Sequence, residues 1–300
     1  MKLTSFRSSS GVRTGVVIDD EIVDLAAADP VLSGPMEALL EGGPNVLDRV
    51  REAAESTRGR RPLAEAQLAP PVQPRKFFAI GLNYADHVAE SHLPTPENLI
   101  VFAKAISCVN GPFDPIERPI ASEQLDYEGE LGFVIGRRCR HVAAADAADV
   151  IAGYLVVNDV SVRDWQVLTT QWNLGKSFDT HGPIGPWLTT SDEVGDPHSL
   201  EIRTWVNGDL RQESNTEHLI FDCYRQIEVL STVCTLEPGD VVATGTPSGV
   251  ALARDGQPWL VPGDRVRVEI DGLGAIENEV VQEPAAAQQA DAARAAPVER

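Results

Sequence analysis

LDYEGELGFV, residues 125–134, alternates in the manner of a β-strand. Side chains point in turn to opposite faces of a strand, so Glu128 and Glu130 share one face while Tyr127, Leu131, Phe133 and Ile135 share the other. The second face is an apolar stripe fit for a core. Gly129 and Gly132 thin the strand around the two acids, and Asp126 lies on their side. Carboxylates this close repel unless a proton or a cation sits between them. Spacing alone leaves two readings open: a solvated strand face, on which paired glutamates are ordinary, and two ligands of a metal site.

Around this segment lies a chain of 300 residues, long enough for one large or two modest domains with a real core. Hydrophobic residues make up 43% and charged residues 23%, which is the balance of a globular chain and not of a disordered one. A net charge of −20 argues against nucleic-acid binding through a general positive field. An acidic small molecule stays admissible, because a bound divalent cation inverts the local field. The cysteines, Cys108, Cys139, Cys223 and Cys234, show no CxxC spacing and read as buried thiols of a reducing compartment. No apolar leader opens the chain and no window is long enough to span a membrane, so the expectation is a cytoplasmic protein with no membrane partner.

Residues 1–74 read as a small α/β domain and linker. Residues 3–6, 14–18 and 21–25 form a β-meander, and helices follow at 36–40 and from Asn45, which serves as a cap. Residues 58–74, rich in Arg, Pro and Ala, are the linker. None of this stretch offers a catalytic group. Residues 75–282 carry everything else, and 283–300 read as a disordered tail.

In the larger part, the strand at 76–82 is followed by NYADHVAE, which places His87 and Glu90 on one helical face. Such a pair works as an acid/base dyad, the carboxylate orienting the imidazole; the alternative is a solvated surface pair. His92, just beyond, falls in a Pro-rich loop. The apolar strand at 151–158 ends at Asp159, a usual place for a ligand. Arg163 and Gln166 come within reach of that end, unless Arg163 only pairs with Asp164 or Asp159. Lys176 opens a Gly/Pro-rich loop before a strand at 186–189. A hairpin at 201–213 turns at Asn207-Gly208-Asp209, and a helix is expected at 219–230. Thr244-Gly245-Thr246-Pro247-Ser248-Gly249 forms a tight loop with free backbone N–H groups suited to an anion, without the GK[ST] ending of a P-loop.

Six segments in this order resemble the fumarylacetoacetate hydrolase superfamily: IGLNYADHVAE, DYEGELGFVIGRRCR, NDVSVRDWQ, GKSFDTHGPIGPWL, VNGDLRQESNTEHLIF and LEPGDVVATGTPSGV. The resemblance covers roughly residues 76–280 and departs from the family pattern at Leu219 and Ala251. It implies an α+β, mainly β fold, with a mixed β-roll or sandwich behind a small N-terminal α/β domain, and a homodimer. It implies a Mg²⁺ or Mn²⁺ site, which Ca²⁺ can fill in crystals, on Glu128, Glu130 and Asp159. It implies a His87–Glu90 dyad, Lys176 as the catalytic and substrate lysine, and substrate contacts from Arg163, Gln166, Gly245 and Thr246.

Three carboxylates with no soft ligand suit a hard cation. The implied activity is metal-dependent hydrolysis of a C–C bond in an acylpyruvate-like or 2,4-diketo acid through a metal-stabilised enolate, with water activated by the dyad. The same site would also serve an oxaloacetate-type decarboxylase or a 2-oxo acid isomerase or hydratase. A non-catalytic metal or ligand binder is the third reading, and intact His87, Glu90 and Lys176 speak against it.

Overall fold

A computed structural model describes residues 1–91 and 94–285. His92 and the tail from 286 onward lie outside the described residues. The fold is mixed α/β and mainly strand. A twelve-stranded sheet runs in the order Arg60–Pro62, Glu21–Asp24, Gly11–Ile18, Lys2–Ser8, Gly182–Thr190, Ile151–Asn158, Gly129–Ile135, Val241–Ala243, Phe77–Gly81 and Ile100–Lys104. Leu68–Ala69 and Val109–Asn110 pair off this path. A five-stranded sheet orders Asp209–Asn215, Glu201–Val206, Arg265–Ile270, Gly274–Gln282 and Ile116–Arg118.

Alternation along the central strands builds a core on each face of the large sheet. Leu131, Phe133, Tyr154 and Val156 pack against Ile202, Val266, Val268 and Ile276 of the five-stranded sheet. Val134, Leu155, Val157 and Ala243 point the other way, into a second core with Leu3, Val16, Met36, Leu39 and Val50. The N-terminal meander is hydrogen-bonded into the same sheet as the rest, with Leu3 opposite Leu188 and Lys2 opposite Thr189.

Several local expectations shift for identifiable reasons. The helix read at 219–230 runs from Cys223 to Val233, because the Asp222 carboxylate accepts the Arg225 N–H at 2.7 Å and caps it there. The helix expected from Asn45 starts at Gly43, with Pro44 in its first turn, so Asn45 is inside it. Strand pairing extends the 186–189 strand to Gly182–Thr190. Cys108 and Cys223 are buried as expected, but Cys139 and Cys234 are only half-buried, and all four are free. Among the described residues no helix is long and apolar enough to cross a membrane.

Candidate active site

The segment that reads as one strand is two. Leu125–Asp126 pairs with Ser161–Val162, whereas Gly129–Ile135 lies in the large sheet between Ile151–Asn158 and Val241–Ala243. Tyr127 and Glu128 bridge the change of partner. The Glu128 N–H donates to Asn158 Oδ1 at 3.0 Å, and the Asp159 N–H donates to the Glu128 carbonyl at 2.8 Å. These bonds bring the start of one strand beside the end of its neighbour. Glu128, Glu130 and Asp159 are all buried there, each with one carboxylate oxygen within 4.8 Å of the others'. The solvated-face reading of the glutamates is thereby excluded.

Four acids and three cations meet at this point. Lys176 Nζ spans Glu128 Oε2 at 2.6 Å and Asp159 Oδ2 at 2.8 Å. Arg163 pairs with Glu128 Oε1 at 2.6 Å and, through Nε, with Asp126 Oδ2 at 2.8 Å. The pairing of Arg163 with Asp164 or Asp159 is therefore corrected: the short turn Arg163–Gln166 swings the guanidinium back over the Leu125–Asp126 strand. Lys104 reaches Asp159 Oδ1 at 2.5 Å. Burial would raise the Glu128 pKa, but Lys176 and Arg163 outweigh it and hold the carboxyl at about 2. Among the described residues Glu130 forms no ion pair. Burial first, then Asp159 and Glu128, push its pKa well above the carboxylate range, against the nearby Lys176 charge and a hydrogen bond from the Gly245 N–H at 2.8 Å. The donor set fits a divalent cation: it is all oxygen, it is buried, and Glu128 and Asp159 already converge on one positive charge.

His87 lies on the helix Ala85–Ser91, with Nδ1 3.3 Å from Glu90 Oε2. Glu90 is fixed in turn by the Gly249 N–H at 2.9 Å, so the tight loop grips the dyad from behind. In the same loop Gly245 adopts φ +110°, and a Cβ there would lie 2.7 Å from that of Asn83, so only glycine fits. The Thr246 hydroxyl donates to the Gly129 carbonyl at 2.9 Å. Gln166 Oε1 accepts from Arg163 at 2.9 Å. A cavity of about 160 Å³ opens onto His87, Glu128, Arg163, Gln166, Lys176 and Thr246, with Phe102, Trp172, Val250 and Leu252 as its apolar wall.

Three supporting residues escaped the sequence reading. Lys104 closes the strand Ile100–Lys104, and a charged residue closing an apolar strand is the same signal that Asp159 gives. Gln212, on the hairpin, accepts from the Gly129 N–H at 3.0 Å and donates to Thr246 Oγ1 and Pro247 O at 2.8 and 2.9 Å. Its signal was a polar residue at an inward position of an alternating strand. Asn83 ties the loop to Phe221 and Thr244 through its side-chain amide. Asp126, expected beside the ligands, accepts the Ala251 and Leu252 N–H groups at 2.8 and 3.0 Å as well as Arg163.

Comparison with known proteins agrees with this geometry. The profile of the fumarylacetoacetate (FAA) hydrolase C-terminal family matches residues 76–281. The chain is 44% identical over 288 residues to the mitochondrial oxaloacetate tautomerase fahd2 of Xenopus laevis, covering 94% of this chain and 90% of that protein. It superposes on maleylpyruvate hydrolase from Sphingobium sp. SYK-6, solved with manganese(II) and pyruvate, with a TM-score of 0.79 and 38% identity, covering 95% of this chain and all of that one. On 5-carboxymethyl-2-hydroxymuconate delta-isomerase from Mycobacterium smegmatis the TM-score is 0.77 at 37% identity, over 94% of this chain and all of that one. The match over most of the chain, in sequence and in three dimensions, establishes that this chain belongs to the fumarylacetoacetate hydrolase family.

Proposed function

We propose that this enzyme interconverts the enol and keto forms of oxaloacetate or a closely similar 2-oxo dicarboxylic acid, with a divalent metal bound by Glu128, Glu130 and Asp159. The observation that carries the reading is a base, His87, held on the wall of the cavity that Glu128, the outermost acid of the carboxylate triad, also lines. The name of the Xenopus relative supports the choice of substrate. When bound, Mg²⁺ or Mn²⁺ supplies Lewis acidity toward the oxygens of a 2-oxo acid.

The chain's own residues account for the proton movement. Tautomerisation moves one proton between the enol oxygen and C3. With Nδ1–H donated to Glu90, the His87 imidazole keeps its Nε2 lone pair for that proton. The Glu90 carboxylate, fixed by Gly249, fixes the tautomer and steadies the imidazolium while it carries the proton. Lys176 and Arg163 place positive charge beside the anionic substrate, and the wall of Phe102, Trp172, Val250 and Leu252 keeps bulk water from the reacting carbon.

A second reading, hydrolysis of a C–C bond in an acylpyruvate, uses the same His87 to deprotonate a water. The likeness to maleylpyruvate hydrolase favours it. One panel separates the two. Enol oxaloacetate decay, acylpyruvate cleavage and CO₂ release from oxaloacetate are followed with Mn²⁺ or Mg²⁺ and after chelation. The expected result is metal-dependent enol–keto conversion faster than any cleavage. Cleavage of an acylpyruvate with no acceleration of tautomerisation would overturn the first reading in favour of the second.

A further inference from the structure

We propose that Lys104 sets which divalent cation the triad takes, by restricting Asp159 to a single ligand oxygen and so favouring Mg²⁺ and Mn²⁺ over Ca²⁺. This rests on the reading of the triad as a metal site. Each acid of the triad already has one oxygen committed to a donor of the protein. Glu128 Oε1 is held by Arg163 at 2.6 Å, Glu130 Oε2 by the Gly245 N–H at 2.8 Å, and Asp159 Oδ1 by Lys104 at 2.5 Å. That leaves one further oxygen per residue, and on Glu128 and Asp159 this second oxygen is held by Lys176, the ammonium a cation would displace. Three single oxygens are half of an octahedral shell, with room left for a chelating substrate and water. Mg²⁺ is content with about six oxygens and few protein ligands, whereas Ca²⁺ prefers about 6–8 and often takes carboxylates through both oxygens.

Of the three locks, Gly245 is a backbone group and Arg163 is shared with Asp126 and Gln166, whereas Lys104 is a side chain with Asp159 as its acidic partner. Its side chain is fully buried, and among the described residues it donates, beyond Asp159, only to the Lys176 carbonyl. The strand end that carries it is tied to the next residue of the same loop, since the Ala105 N–H donates to Ser177 Oγ at 2.9 Å. The ammonium is therefore held from two sides and cannot follow Asp159 if the carboxylate turns. Lys176 differs. It sits on the opposite oxygen, Oδ2, shared with Glu128, where a cation would replace it; its removal frees one oxygen on each of the two acids for any cation, while Lys104 still holds Asp159 to a single ligand oxygen.

This difference gives the experiment. Chelator-stripped protein is titrated calorimetrically with MgCl₂, MnCl₂ and CaCl₂ as wild type, Lys104→Met and Lys176→Met. Wild type is expected to bind Mg²⁺ and Mn²⁺ at one site and Ca²⁺ less tightly. In Lys104→Met the preference should move toward Ca²⁺ by ~10-fold or more, the scale on which groups that orient metal ligands act. In Lys176→Met both affinities should rise together with their ratio unchanged. Lys104→Gln, closer in polarity, gives the same comparison if Lys104→Met does not fold. A folded Lys104 variant with the wild-type Ca²⁺/Mg²⁺ ratio overturns the proposal and leaves the metal site standing. Wild type that binds none of the three ions overturns both.

Discussion

Replacing Gln212 by Ala removes a side chain that ties the five-stranded sheet to both the ligand strand and the tight loop. Gln212 is 1% exposed and its amide makes three hydrogen bonds, to Gly129, Thr246 and Pro247. Truncation leaves the Gly129 N–H and the Pro247 carbonyl without those partners, while the Thr246 hydroxyl keeps its bond to the Gly129 carbonyl. Each buried group left unpaired costs ~1–3 kcal/mol, so the two together set an expected loss of about 2–6 kcal/mol. At ~2–4 °C per kcal/mol for a large domain, Tm should fall by about 4–24 °C. Differential scanning calorimetry reads this directly, with Gln171→Ala on the exposed loop as a control that should stay within about 0.5 kcal/mol of wild type. Gly129 lies between Glu128 and Glu130, so Mn²⁺ affinity should weaken in the same variant. An unchanged Tm together with unchanged Mn²⁺ affinity would refute the reasoning.

The dyad and a buried histidine supply further tests. His87→Ala should cut turnover by ~10²–10⁴-fold, with Mn²⁺ binding retained because His87 is not one of the proposed ligands. Glu90→Ala should cost as much or less, and the double variant no more than His87→Ala alone, in steady-state assays, since the pair acts as one unit. His181 is buried with Nε2 against the Glu117 carbonyl at 2.8 Å, and burial lowers its pKa to about 3. The unfolded chain takes up this proton from about pH 6.5 downward and the native one does not, so stability should fall as pH drops, by about 2 kcal/mol at pH 5 from this group. Urea denaturation at a series of pH values should show that slope in wild type and a shallower one in His181→Phe; equal slopes would count against it.

What could be read from the sequence was local. Glu128 and Glu130 stand out through spacing, His87 and Glu90 through helical phase, and Asp159 through its place at the end of an apolar run. Their convergence depends on the Gly129–Asn158 register, which no short window encodes. Lys104 was missed because its partner Asp159 lies 55 positions away, and Gln212 because its targets belong to the other sheet. The break at Tyr127–Glu128 was invisible because alternation continues through it; only the change of pairing partner reveals it. The merging of the N-terminal meander with the large sheet was hidden for the same reason, since Leu3 meets Leu188 across most of the chain. Helix ends moved where a cap such as Asp222 competed with the apolar periodicity.

The most direct test of the central claim, that Glu128, Glu130 and Asp159 form one divalent-metal site, is a count of Mn²⁺ bound to chelator-stripped protein by electron paramagnetic resonance, in wild type and in Glu130→Gln. Glu130 is 1% exposed and takes only one backbone hydrogen bond, so the substitution changes the ligand charge with little loss of packing. The expected result is one tightly bound Mn²⁺ per chain in wild type and none in Glu130→Gln. Equal Mn²⁺ binding by the two proteins would contradict the claim.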